Sequence, residues 1–199
     1  MAGMLDSPAA PVAYGDESFL ESDSHGFYVL ATAVFEPHAI GEARAVMSTL
    51  WKGSPTSKLH WNDLTPRQRE NVAKTVADLA GFHIVAVGSP VPRRRQERAR
   101  AVCLNHLVDE LHGYGVDTLY LEARDKALNQ RDVQTVTGAR FNLPRGTRFR
   151  VEHHRGGSDP LLWVPDVVAG AVRAHRQGEP LYRDILAECL YDLDVTTGC

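Results

Sequence analysis

The chain has 199 residues, 43% of them hydrophobic and 24% charged, with a formal net charge of -3. That size and balance suit one globular domain with a sizeable core. They exclude a global basic field, so any nucleic-acid partner must rest on a local patch, and no apolar run reaches the ~18–20 residues of a membrane span.

Residues 1–10 read as a short flexible leader without the charged and apolar regions of a signal peptide. The three cysteines, Cys103, Cys189 and Cys199, are far apart and form no CxxC pair, so a reducing cytoplasm is the expected setting. Residues 11–15 alternate weakly and stop at two adjacent acids, Asp16 and Glu17, which reads as a strand and its end. After the polar turn ESDSHG, FYVLATAVF (27–35) is aromatic and β-branched, a central strand paired with the first as a hairpin.

Residues 39–52 carry Ala43, Val46, Met47 and Leu50 at helical spacing. A second helix starts at LTPRQRE, with Thr65 as N-cap and Pro66 in the first position, and ends near Gly81. HIVAVGSP (83–90) reads as a strand and 93–114 as the longest helix, with Val102, Cys103, Leu107 and Leu111 on one face. TLYLEARD (118–125) is a strand ending in acids, 126–137 a short helix and FRVEHHR (149–155) a strand. Residues 161–176 are expected to be helical despite Pro165, and a last helix is expected over 180–191.

Strands in a hairpin followed by strands alternating with helices indicate an α/β fold with a mixed sheet. The order resembles the ribonuclease H-like arrangement: an antiparallel meander plus parallel strands, flanked by helices. The domain is expected to span 11–191, with a helical insertion about 38–80 and a C-terminal tail at 192–199.

Acids recur where neighbouring elements of such a fold end. Asp16 and Glu17 close the first strand, Glu122 and Asp125 the strand from Thr118, and Asp166 lies in the apolar setting LLWVPDVV. A carboxylate there is costly unless something neutralises it. Hard divalent cations such as Mg²⁺ or Mn²⁺ take oxygen ligands, and a pair ~4 Å apart activates water against a phosphodiester. The alternative is structural, since Asp and Glu after strands also cap turns and helices.

YGDES before an aromatic strand, a Lys-x-His stretch in the middle, and the late SDPLLWVPDVVAGAV together resemble the family called domain of unknown function 3800. The resemblance runs loosely over 12–186, and only its two end motifs are specific. Phe19 stands where that pattern has glycine, and Pro165 where it has alanine. It implies a ribonuclease H-like protein with a suspected nuclease role, whose site is carried by Asp16, Glu17 and Asp166. Glu122 is the mid-chain acid chosen, because its strand is expected beside the first. Glu97 is a fourth candidate.

Lys58 and His60 of SKLHW share one side if extended, suited to a phosphate and a proton, with Trp61 either stacking on a base or anchoring the loop. The run VPRRRQERARA places Arg93, Arg94 and Arg95 ahead of Arg98 and Arg100, either to grip phosphates or as a solvated face. His153 and His154 point to opposite faces of one strand, so at most one reaches a site. No phosphate-binding glycine loop, PCxxC, HExxH or GxSxG occurs.

The sequence therefore leads to metal-dependent hydrolysis of nucleic-acid phosphodiesters. Asp16, Glu122 and Asp166 hold two Mg²⁺ or Mn²⁺ ions, with Glu17 a ligand or its partner. Lys58, His60, Arg93, Arg94 and Arg95 position substrate. The rival expectation is a non-catalytic module that binds nucleic acid or protein through the same fold.

Overall fold

A computed structural model describes residues 9–23, 25–50 and 58–199. Residues 1–8 of the expected leader and 51–57 of the expected insertion lie outside the described residues.

The elements run β1 Val12–Leu20, β2 Phe27–Phe35, α1 Ile40–Leu50, α2 Pro66–Ala77, β3 Gly81–Ser89 and α3 Gln96–Gly113. They continue with β4 Thr118–Glu122, α4 Lys126–Ala139, β5 Arg150–His154, α5 Trp163–Arg176, α6 Leu181–Ile185 and β6 Leu190–Thr196. The six strands form one sheet in the order β5-β4-β1-β2-β3-β6. β1, β2 and β3 are an antiparallel meander, while β4 adds parallel to β1, β5 parallel to β4 and β6 parallel to β3. Sheet order and direction match a ribonuclease H-like fold.

Two cores fill the two faces. On one, Tyr14, Val29, Ala31 and Val85 of the sheet meet Met47 of α1, Val72 of α2, Val168 of α5 and Tyr182 of α6. On the other, Ala13, Leu30, Ile84 and Leu119 meet Leu104 and Leu107 of α3 and Val136 of α4. β2 is buried at every position, which fits a sequence that is apolar or aromatic except at Thr32, whose hydroxyl donates to the Ile84 carbonyl at 2.8 Å. Thr65 caps α2 through a reciprocal capping box with Gln68. Pro165 fits because it lies in the first turn of α5, where its missing N–H costs no helical bond. Among the described residues no helix is long and apolar enough to cross a membrane.

Two expectations give way. β1 does not end at the acids: it pairs with β2 from Val12↔Phe35 through Leu20↔Phe27. Only its pairing with β4 stops there, at Gly15↔Leu121, because β4 itself ends at Glu122. Residues 190–196 are neither the end of a helix nor a tail. They form β6, which pairs from His83↔Leu190 to Ser89↔Thr196 along the otherwise open flank of β3.

Candidate functional site

Where β4 stops, β1 runs on with one flank free, and Asp16 is the first residue past the last shared pair. Alternation sends Asp16 and Glu17 to opposite faces of the sheet. Asp16 joins Tyr14 on the α5 side, whereas Glu17 points toward α3 and accepts a 2.7 Å hydrogen bond from the Arg100 guanidinium. Glu122, the last residue of β4, lies next to Asp16, and Asp166 comes from the first turn of α5.

Residues 58–61 supply the fourth wall. The Trp61 amide donates to Asp166 Oδ2 at 2.9 Å, which fixes this segment against α5. Lys58 Nζ then donates to Glu122 Oε2 and stands 3.9 Å from Asp16 Oδ2. Asp16, Glu17, Lys58, His60, Glu122, Arg124 and Asp166 line one cavity of about 310 Å³, with Asn62 and Phe19 at its margin. The sequence-derived acids and the Lys-x-His pair thus converge on one place.

Gly156, just past β5, leaves room for the Lys58–Glu122 pair as it stands: a Cβ there would lie 2.6 Å from Glu122 Oε1 and 2.6 Å from Lys58 Cδ, so these side chains would have to shift. Trp61 is the loop anchor rather than a base platform. It is buried, with Tyr182 edge-on at 5.1 Å and the Arg69 guanidinium 5.2 Å above its ring.

The electrostatics of the cavity are strained toward negative charge. Burial, then Glu17, Asp166 and Glu122, push the Asp16 carboxyl well above its usual range, against the pull of Lys58. Burial also raises Asp166, although the Trp61 amide and Lys58 oppose it. Burial works against the charge on Lys58, but Asp16, Glu122 and Asp166 outweigh it and hold the ammonium protonated.

Behind the cavity lies a buried ion network. Arg100 forks onto Asp132 at 2.8 and 2.9 Å and also donates to the Tyr28 hydroxyl at 3.1 Å. Asp132 takes a further hydrogen bond from Arg124 at 3.1 Å and contacts His153 Nε2 at 3.0 Å. These partners outweigh burial and hold the Asp132 carboxyl far below the usual range. Glu97 pairs with Arg124, so it steadies an arginine instead of joining the acids.

The remaining candidates lie elsewhere. Arg93, Arg94 and Arg95 are exposed and do not line the acidic cavity; Arg93 pairs with Asp23. Asp125 is the N-cap of α4, accepting from the Leu128 amide at 3.0 Å. His154 is exposed on β5 with its ring against Tyr120. Arg124 was not anticipated, though an arginine two residues past Glu122 at a strand end was a readable signal.

Three carboxylates and no soft donors are the ligand set hard divalent cations take. Their charge exceeds what Lys58 alone neutralises, so donor chemistry and charge both fit such an ion. Among the described residues no group of three or more His, Cys, Asp or Glu is arranged to hold one, and Lys58 fills the space between Asp16 and Glu122. No family model matches the chain, and no curated protein matches it.

Proposed function

We propose that the protein is a metal-dependent nuclease of the ribonuclease H-like kind. The observation that carries this is the meeting of Asp16, Glu122 and Asp166, from β1, β4 and α5, around one cavity that also holds Lys58 and His60. Those three carboxylates would hold Mg²⁺ or Mn²⁺, which supply the Lewis acidity that activates water and steadies a departing oxygen.

The chain's own groups do the rest. Lys58 offers its ammonium to a phosphate oxygen once the acids are neutralised otherwise. Arg124, braced by Glu97 and Asp132, presents a second cation to the phosphate. His60, exposed and lining the cavity, is placed to give a proton to a leaving oxygen. Glu17 acts through Arg100 as a positioning residue. All three cysteines are unpaired, which suits a reducing cytoplasm. The resemblance to domain of unknown function 3800 points the same way.

The second reading, a nucleic-acid-binding module without catalysis, is favoured by one feature: Lys58 already supplies a cation to Asp16 and Glu122. Cleavage of labelled single- and double-stranded DNA and RNA, in Mg²⁺, Mn²⁺ or EDTA, decides between them. The nuclease reading expects metal-dependent cleavage that falls by at least about a hundredfold in Asp16→Asn or Asp166→Asn, the cost of losing an essential charge-stabilising group. Binding without cleavage, equal in wild type and both variants, establishes the module instead.

A further inference from the structure

A second cavity, of about 250 Å³, opens on the same sheet face one step back along the strands. Tyr14 precedes Asp16 by two residues on β1, and Tyr120 precedes Glu122 by two on β4. Alternation therefore puts both rings on the face of the acids, roughly 7 Å upstream. The register carries the pattern across to β5, where Tyr120 opposes Glu152 and Glu122 opposes His154. The Tyr14 and Tyr120 rings stack with centroids 5.3 Å apart, and the His154 ring meets Tyr120 edge-on at 5.0 Å.

The charges in this cavity are compensated by nearby partners, Arg150 from outside its lining. Arg44 forks onto Asp159 at 3.1 and 2.8 Å and reaches the Tyr14 hydroxyl at 3.4 Å. Glu152 pairs with Arg150 at 3.1 Å, and His154 Nε2 lies 3.8 Å from it. What remains is an aromatic cluster, with Tyr14 buried against Tyr120 and the His154 ring exposed at its edge, bordered by fixed donors and acceptors. That is the complement of a planar, neutral, hydrogen-bonding ligand and not of a phosphate, whereas the neighbouring cavity carries the acids and cations that suit the phosphate.

We propose that the Tyr120–His154 cavity is a nucleobase subsite for the nucleotide flanking the phosphate at the acid cluster, with Arg44 and Glu152 facing the edges of the base. The choice of a nucleotide as ligand rests on the nuclease reading; the cavity and its chemistry do not. Stacking on an aromatic side chain is sequence-tolerant, so the subsite accepts any base.

The test is binding of a short fluorescent single strand, as DNA and as RNA, in EDTA so that nothing is cut. Tyr120→Ala and His154→Ala each weaken binding at least about fivefold, the low end of what one base–aromatic contact contributes. Tyr120→Phe retains it. On an abasic strand the wild type binds as weakly as Tyr120→Ala. Because His154 is exposed, its variant remains informative should Tyr120→Ala lower stability. Equal binding of normal and abasic strands by wild type and variants overturns the subsite, as does a wild type that binds no strand. Metal-dependent cleavage that disappears in Asp16→Asn but ignores Tyr120 and His154 keeps the nuclease and removes the subsite. Base-dependent binding with no cleavage under any metal does the reverse.

Discussion

Arg100 is 1% exposed, and its guanidinium is shared among Asp132, Glu17 and the Tyr28 hydroxyl. A buried ion network of this kind contributes little beyond an apolar replacement as a whole, but removing one member leaves charges stranded. Arg100→Met should therefore cost about 3–5 kcal/mol in urea unfolding, because Asp132 and Glu17 lose their main partner. A change of less than about 1 kcal/mol would show that Arg124 and His153 alone satisfy Asp132. The sequence reading placed Arg100 in an arginine run taken either to grip phosphates or to form a solvated face. Its spacing from Cys103, Leu107 and Leu111 already put it on the apolar face of the helix, a cue outweighed by the cluster of charges beside it. Asp16, Glu122 and Asp166 were legible because acids follow two apolar strand-like runs and interrupt an apolar helical one, although β1 runs on past Asp16. The separation of Asp16 from Glu17 was legible too, had alternation been carried through the acids. Asp132 had no signal, since a lone acid in a polar helix reads as solvated until the opposite helix is in place.

Helix α5 does more than cover the sheet. A Cβ on Gly170 would stand 2.3 Å from the Trp61 indole, so the glycine lets the tryptophan lie flat on the helix. Gly170→Ala gains up to about 1 kcal/mol of helix propensity. The overlap dominates, since displacing a packed ring in a core typically costs about 1–3 kcal/mol. Its consequence should also travel: moving Trp61 would break the hydrogen bond its amide donates to Asp166 and draw Lys58 away from Glu122. We expect Gly170→Ala to lower thermal stability and shift tryptophan fluorescence. Gly138→Ala on α4 is the control, because its Cβ meets nothing within 4 Å, and it should be neutral or slightly stabilising. Equal behaviour of the two variants would mean that Trp61 relaxes freely. Most elements were readable at this scale because their cues are local: the Thr65 cap and Pro66 before α2, the aromatic and β-branched run of β2, the apolar stripe of α3. β6 was missed for a non-local reason. LYDLDVT alternates, but its role as a strand depends on the open flank of β3, which only the folded sheet presents. Its acids then find arginines on that edge, Asp192 pairing with Arg183 and Asp194 with Arg176.

The stability of the whole molecule should carry a pH signature from one histidine. His83 on β3 is 1% exposed, neither ring nitrogen has a partner among the described residues, and burial lowers its pKa from 6.5 to about 4. The neutral ring is the folded form, so the unfolded chain binds the extra proton between those values. Stability is full above pH 6.5 and falls as pH drops toward 4, by on the order of 3 kcal/mol. Asp16, whose carboxyl is raised, acts with the opposite sign over part of that window. The measurement is therefore a difference: unfolding free energies of wild type and His83→Leu from pH 7 to 4. The wild type should lose stability relative to the variant as pH falls, and a difference that stays constant would refute the assignment.

The register joining β1 to β4, Val12 to Thr118 and Gly15 to Leu121, has a consequence for the order in which this molecule acquires its properties. The β1–β2 hairpin closes over a short turn, whereas Asp16 meets Glu122 only after the meander, both inserted helices and α3 have been gathered in. Contacts between distant parts of a chain form slowly, because the entropy of closing the loop is lost before anything compensates it. During refolding, strand content should thus return well ahead of the chemistry. A partly folded molecule would own its β1–β2–β3 meander and none of its acid cluster, so any chemistry of that cluster belongs to the late folded state alone.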